Sequence, residues 1–258
     1  MRRTQTEEYW RDEFDVTEED LGILYELFLE EGVPRSTDYL AQRLMERRCQ
    51  EEEEALQKAL EGKGTVYQPR DSYAVGERLF FPALGGVTGT VVGVRPGENP
   101  GYGEFSVIQV ELEGTEGVRE FAADFPLPHR LNRDEKVLPP AELYRRYGHY
   151  LLSNLWERLE ASPDFVHFGD QWFLGGLMVE VHVGHLNIAE AMIDLADAPL
   201  TSEELLKEME LSEDIPLAAR IFSLNYALAQ DERFVNVGSE GSPRWFLAYH
   251  QAEEVVSA

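Results

Sequence analysis

The sequence predicts an α+β fold in which helical modules that end in hairpins flank a small β-rich domain. The first observation is a sequence pattern that occurs twice. Residues 165–169 are followed by residues 172–174, and residues 234–238 are followed by residues 245–247. Each copy is an apolar run, a polar turn that contains glycine and a second apolar run, which is the pattern of a β-hairpin. The second observation is that residues 76–132 consist of short β-rich runs separated by Gly, Pro and Asn.

A helical pattern precedes each repeated hairpin. Leu155 and Leu159 are spaced as one buried helix face, and Leu224 and Leu228 recur at the same distance before the second hairpin. A helix that leads into a hairpin, present twice, indicates the back half of a winged helix-turn-helix module. We therefore expect the two helices to be equivalent, with Leu155 matching Leu224 and Leu159 matching Leu228.

Length and composition favour several compact units in a reducing compartment. The chain of 258 residues, 43% of them hydrophobic, is large enough for about two to four domains with real cores. Cys49 is the single cysteine, so an internal disulfide framework is excluded. No apolar run is long enough to cross a bilayer, and no apolar core follows the N-terminal arginines. We expect a soluble, cytoplasmic protein.

The formal net charge of −26 constrains the partners. Affinity for nucleic acid rests largely on Lys and Arg at the phosphates, and here 23 basic residues face 49 acidic ones. Broad, nonspecific binding of duplexes is therefore disfavoured, although screening over about 8–10 Å at ordinary salt leaves room for a local basic patch. The simplest interpretation is an acidic surface that keeps the protein soluble, and the alternative is contact with a basic protein surface.

Residues 1–75 are expected to form an N-terminal helical, winged-helix-like domain. Thr17 can cap a first helix, with Asp20 three residues on in capping-box style. Residues 37–60 form either two helices or one long helix. Residues 65–75 are expected to form a small hairpin, which would be the wing of this domain.

Residues 76–132 are expected to form a small barrel, because about four or five short strands in this length are too few for a sandwich. The run 75–82, followed by 89–94, resembles SH3-like barrels of the KOW and Tudor-like kind. That resemblance implies a module of the type found in transcription and translation factors.

Residues 133–183 are expected to form a partial winged-helix repeat. Residues 133–136 form a linker, Pro140 opens a helix, and a further helix over about 149–160 leads into the first hairpin. Residues 177–183 alternate like a strand.

Residues 184–258 contain the complete order of a winged helix. Asn187 can cap a first helix, Thr201 with Glu204 begins a second one in capping-box form, and residues 216–230 form the third before the hairpin.

The C-terminal module resembles the HARE-HTH group of winged helices on residues 200–205 and 233–247. This group includes the N-terminal domain of the bacterial RNA polymerase delta subunit and modules attached to restriction and chromatin proteins. The loop at 239–243 is an addition to that pattern, and the rest of the chain is not delta-like. The resemblance implies winged helix-turn-helix modules flanking an SH3-like barrel, with RNA polymerase as one expected partner.

The sequence contains no motif for catalysis or for cofactor binding. A phosphate loop, a nucleophile elbow and a zinc-protease helix are all missing. His182 and His185 are of a type that ligates zinc, but no cysteine lies near them, so a surface or packing role is favoured. We expect no enzymatic activity, no metal and no cofactor.

Arginine groups are the best candidates for recognition of a partner or of nucleic acid. The candidate residues are Arg130, Arg133, Arg145, Arg146, Arg220, Arg244 and Trp245. In winged helices the third helix commonly enters the DNA major groove and the wing touches the backbone. Trp172 and Trp245 are interpreted first as core residues of the hairpins and second as stacking platforms.

A further group, Arg43, Arg47 and Arg48, clusters on one helix, where pairing with the acidic run 51–54 is favoured over recognition. The leading hypothesis is a non-enzymatic winged-helix protein that acts in transcription or nucleic-acid processing through protein contacts. The alternatives are a DNA-binding transcriptional regulator and an accessory subunit of a restriction or defence system.

Overall fold

The computed structural model describes residues 2–132, 136–239 and 241–249. Contacts divide the chain into two compact units: the second contains residues 50–138, and the first contains the chain on either side of it. Helices and separate sheets are both present, so the mixed α+β class expected from the sequence is confirmed. No described helix is both long enough and apolar enough to cross a membrane.

The helices and strands of the described residues are numbered in chain order. The α-helices are α1 (Glu18–Glu31), α2 (Thr37–Leu60), α3 (Pro140–Tyr147), α4 (His149–Ala161), α5 (Val183–Ala196), α6 (Ser202–Leu206) and α7 (Leu217–Ala229). The strands are β1 (Arg35–Ser36), β2 (Thr65–Val66), β3 (Arg78–Phe81), β4 (Val87–Pro96), β5 (Ser106–Leu112), β6 (Val118–Ala123), β7 (Phe165–Phe168), β8 (Gln171–Leu174), β9 (Phe234–Asn236) and β10 (Trp245–Leu247). Residues 37–60 thus form one long helix, which is the second of the two predicted alternatives.

A three-stranded sheet in the order β1, β8, β7 joins distant parts of the chain. β1 pairs antiparallel with β8, with Arg35 opposite Trp172, and β7 and β8 form the first predicted hairpin. The second unit begins within α2 and ends before α3, so it interrupts this module in sequence. The sequence assigns α1 and the first hairpin to separate domains, whereas the structure places β1 and that hairpin in one sheet.

The same order of elements recurs in the C-terminal part of the first unit. Leu200, which lies between α5 and α6, bridges Trp245 of β10, and β9 pairs with β10 to form the second predicted hairpin. Leu200 therefore has the place that Arg35 has in the first copy, and Trp245 has the place of Trp172. Both copies contain a first helix, a short extended segment that pairs with the hairpin, further helices and the hairpin itself; the first copy has the additional helix α3, and the second has an isolated bridge in place of β1.

The helices of the two copies also match in their caps and in burial. Thr17 and Asp20 form a capping box on α1, and His182 and His185 form one on α5, which has the same length of 14 residues. The leucines expected to correspond are all fully buried: Leu155, Leu159, Leu224 and Leu228. α1 and α5 thus share their length and a capping box, and the superposition of the helices before the hairpins stays a prediction.

The start of α5 differs from the prediction. His182, and not Asn187, is the capping residue, because its side chain accepts a hydrogen bond from the Gly184 N–H. Residues 177–183 do not form the predicted strand. Val179 and Val181 instead pack against the C-terminal core, so their alternation reflects burial without strand pairing.

The second unit is built on a five-stranded sheet in the order β2 to β6. The backbone N–H of Asp124 donates to Asp71 over 3.0 Å, and that of Phe125 donates to Pro69 over 2.9 Å. These bonds link the chain after β6 back to the segment before β3. The buried core is Tyr67, Tyr73, Leu79, Phe81, Val91, Ile108, Val110, Leu112 and Ala123.

Residues 65–75 do not form the predicted hairpin. β2 pairs in parallel with β3, with Val66 opposite Phe80, and it lies in the second unit. The two rings of Tyr67 and Tyr73 are buried in the core of that unit, which holds the segment against the sheet. The sequence therefore predicted the wrong pairing for these residues, because their apolar side chains serve the core of the neighbouring domain.

Candidate interaction surfaces

The N-terminal segment covers part of α4, the helix before the first hairpin. The Val16 N–H donates to Asn154 Oδ1 over 2.8 Å, and Asn154 Nδ2 donates to Asp15 over 2.9 Å. Further along the helix, Arg158 forms an ion pair with Glu18 at 2.7 Å. An acidic segment of the same chain therefore lies on α4.

The first copy of the repeat covers part of α7, the helix before the second hairpin. The Phe222 ring lies edge-on to Phe173, with ring centroids 5.7 Å apart. The Val179 N–H donates to Ser223 Oγ over 3.0 Å. The buried residues of this helix are Ala219, Phe222, Ser223, Leu224, Asn225 and Leu228.

Two of the predicted recognition residues, Arg220 and Arg244, differ in their exposure to solvent in the C-terminal module. Arg220 on α7 is half-buried, and its Nε is buried without a hydrogen-bond partner among the described residues. Arg244 is exposed just before β10, and no ion pair of its guanidinium occurs in the part of the chain that the structure describes. Arg244 is therefore the better placed of the two to meet a partner.

Trp245 is a core residue, which corrects its inclusion among the candidate contact residues. Its side chain is 2% exposed, and its Nε1 donates to Asn225 Oδ1 over 2.8 Å. Trp172 is fully buried in the first copy and donates to Thr37 Oγ1 over 3.1 Å. Neither indole has a free face on which a base could stack.

Arg145 and Arg146 are exposed on α3, but both are already paired with an acidic neighbour. Glu142 accepts from Arg145 at 2.5 Å and from Arg146 at 3.0 Å. Any anion that bound there would compete with this carboxylate.

Arg130, another of the predicted cations, lies in the second unit. Arg130 is exposed at a pocket of about 390 Å³ lined also by Tyr67, Phe81 and Phe121. Arg133 lies outside the described residues.

Two arginines of α2, Arg43 and Arg48, pair with residues outside the predicted acidic run. Arg43 pairs with Glu46 at 3.0 Å, and Arg48 pairs at 2.5 Å with Asp20, which is 3% exposed. The second of these pairs ties α2 to the capping box of α1.

A cleft of about 700 Å³ in the first unit brings the two copies of the repeat together. The first copy contributes Pro34 and the turn of its hairpin, with Phe168, Asp170 and Gln171. The second contributes the start of α6, one face of α7 and the segment before β10: Thr201, Ser202, Glu203, Ala218, Ile221, Phe222, Asn225, Gly241, Ser242, Pro243 and Arg244. Its volume lies within the usual range of ligand sites, about 300–1,000 Å³.

Asn225 is held in one orientation at this cleft. Its Oδ1 accepts from Ser202 Oγ at 2.5 Å and from Trp245 Nε1 at 2.8 Å. Because both donors require an oxygen at that position, Nδ2 is fixed on the other side of the amide. Nδ2 has no acceptor among the described residues, although Asn225 is only 5% exposed. The sequence signal was weak, since a lone Asn within an apolar helix is the sole clue to this arrangement.

His182 and His185 form a capping box at the start of α5. Their rings stack with centroids 3.8 Å apart, and His182 Nδ1 accepts from the Gly184 N–H at 3.1 Å. Burial, together with the neighbouring His182, lowers the pKa of His185. Among the described residues, no group of three or more His, Cys, Asp or Glu side chains is arranged to hold a metal ion.

Comparison with known proteins finds no family model, no curated protein and no solved structure that matches this chain. Its function is therefore argued from the geometry of its own surfaces.

Proposed function

We propose that this chain is a non-enzymatic, acidic winged-helix protein that acts through protein contacts in transcription or nucleic-acid processing. In this proposal each copy of the repeated order is a winged helix-turn-helix module. The second unit is an SH3-like barrel inserted into the first module. The sheet order β1, β8, β7 and the matching bridge from Leu200 to Trp245 support this assignment.

The observation that carries the proposal is that both helices before the hairpins are partly covered by other segments of their own chain. In winged helices that read DNA, the corresponding helix enters the major groove. Here Asn154 and Arg158 of α4 bind the acidic N-terminal segment, and Phe222 and Ser223 of α7 contact the first copy of the repeat. Entry of either helix into a DNA groove would have to break these contacts, which favours a protein-binding role.

The charge supports a basic protein surface as the partner. Several arginines on the surface of this protein are neutralised within the chain, as Arg145 and Arg146 are by Glu142. An excess of carboxylates attracts a basic surface and repels phosphates. On the resemblance of the C-terminal module to the delta-subunit group, RNA polymerase in the cytoplasm is the partner that we propose.

The second candidate is a DNA-binding regulator, which the exposed Arg244 favours. In a winged helix this position would face the phosphate backbone, where a single cation contributes an affinity that depends strongly on salt.

A paired titration separates the two candidates. Labelled wild-type protein is titrated with core RNA polymerase and with duplex DNA at matched ionic strength. The variants are R145E/R146E and R244E, and R119E is the control, because Arg119 is an exposed cation of the second unit. We expect binding of polymerase that is preserved in all variants, and weak binding of DNA. Tight binding of DNA that is lost in R244E or R145E/R146E, with no binding of polymerase, would favour the regulator.

The same preparation tests the non-enzymatic assignment. We expect no turnover of nucleoside triphosphates, DNA or RNA with Mg²⁺ present. Reproducible turnover that one His or carboxylate substitution abolishes, while the fold is retained, would contradict it.

A further inference from the structure

We propose that the cleft between the two copies of the repeat binds a peptide segment of a partner protein, with an apolar side chain at its centre and basic residues beside it. This inference rests on the proposed function, because it locates the protein contact that the proposed function requires. Three properties of the cleft support it: its lining, its fixed polar donor and its charge.

The apolar lining of the cleft determines the size of the partner side chain that the cleft can bury. Phe168 comes from the first hairpin, and Ile221 and Phe222 come from α7, so both copies contribute apolar side chains to the lining. A side chain of the size of Leu or Phe gains about 1.5–3 kcal/mol when it is fully buried against such a surface. An apolar side chain alone would not select one partner over another, so the polar groups must supply specificity.

Asn225 supplies the fixed polar donor. Its Nδ2 lacks an acceptor among the described residues, and the bonds from Ser202 and Trp245 to Oδ1 prevent the amide from turning over. Nδ2 faces the solvent of the cleft, since it is not one of the fully buried side-chain atoms without a partner in the described residues, and a ligand acceptor would replace water there. A main-chain carbonyl beside the apolar side chain is such an acceptor, and every peptide carries one.

The charge of the cleft selects basic neighbours. Asp170 and Glu203 line the cleft and are both exposed, and no ion pair of either carboxylate occurs within the described residues. Among the described residues of the lining, Arg244 is the one cation, so carboxylates are in excess. Lys or Arg next to the apolar side chain would pair with these carboxylates, whereas acidic neighbours would be repelled.

The test follows the side-chain amide of Asn225 by ¹⁵N NMR in the full-length protein. The probes are three blocked peptides of sequence Gly-Ser-Arg-X-Arg-Ser-Gly, with X as Leu, Phe or Ser, and a fourth with Glu in place of both Arg and Leu at X. We expect saturable shifts of the Asn225 Nδ2 signals with the Leu and Phe peptides. The Ser peptide and the Glu peptide should bind at least tenfold more weakly.

Variants then assign the binding to the cleft. A218R places a long cation in the cleft from an exposed position of α7 and should abolish the response. L195R is the matched control, because Leu195 is 90% exposed on α5 and does not line the cleft. S242W blocks the opposite side and replaces A218R if that variant unfolds. The double variant D170K/E203K should prefer the Glu peptide.

The outcomes separate this inference from the proposed function. Absence of a saturable shift at Asn225, equal binding of all four peptides, or full binding by A218R and S242W would overturn the cleft as a peptide site. None of these results would contradict binding of RNA polymerase by the wild-type protein. Specific peptide binding without any binding of polymerase would support the cleft and contradict the proposed partner.

Discussion

The capping box that His182 and His185 form on α5 makes the stability of the folded state depend on pH. His182 Nδ1 accepts from the Gly184 N–H, and His185 Nδ1 accepts from the His182 N–H at 3.3 Å. Both contacts need an unprotonated nitrogen, and burial together with His182 lowers the pKa of His185, although Glu180 acts in the opposite direction. The folded state therefore prefers the neutral ring more strongly than the unfolded state does.

We expect the contribution of this cap to be fully present above the unfolded pKa, about 6.5. It should be lost as the pH falls from there towards the lower pKa of folded His185, because the unfolded chain then binds more protons. In the variant H185Q, a neutral glutamine amide replaces the imidazole as the acceptor at the third position of α5, and residue 185 no longer titrates. Urea unfolding between pH 7.5 and pH 5 should show wild type losing stability relative to H185Q. A constant difference over this range would contradict the prediction.

At the scale of elements, the insertion of the second unit is the feature that sequence reasoning did not find. The sequence predicted both hairpins, the caps at Thr17 and Thr201 and the change to strands after residue 76, because each of these features is determined by residues close together in the chain. It could not find the pairing of β1 with β8, because a strand of two residues has no period of its own. The cleft was missed because its lining combines residues that are far apart in the sequence, such as Phe168 and Ile221.

The insertion predicts that residues 50–138 fold alone, since this unit has its own buried core and linked sheet edges. A fragment of these residues should unfold cooperatively in urea. In that fragment L79A should cost about 2–5 kcal/mol, because Leu79 is fully buried, while V92A at a 43% exposed site should cost under about 0.5 kcal/mol. A fragment without a cooperative transition, or with equal effects of the two substitutions, would show that its core depends on the first unit.

At the scale of the whole molecule, the net charge of −26 destabilises the folded chain through repulsion between carboxylates, whereas it favours association with a basic partner. Self-repulsion destabilises a compact acidic chain, and salt relieves it. Exposed ion pairs such as that of Arg78 with Glu113, at 2.7 Å, are weakened by salt, but each contributes only about 0–1 kcal/mol. With more than twice as many acidic as basic residues, repulsion should outweigh the pairs.

We therefore expect the thermal midpoint to rise as NaCl increases from about 10 to 150 mM, where the screening length falls from about 30 to 8 Å. Over the same range the association rate with a basic protein partner should fall, because the same screening removes electrostatic steering. Differential scanning calorimetry and stopped-flow association measure the two effects, and sucrose at matched osmolality controls for general exclusion. A midpoint that falls with NaCl would show that the ion pairs within the chain outweigh its repulsion. An association rate independent of salt would contradict a partner recognised by its positive charge.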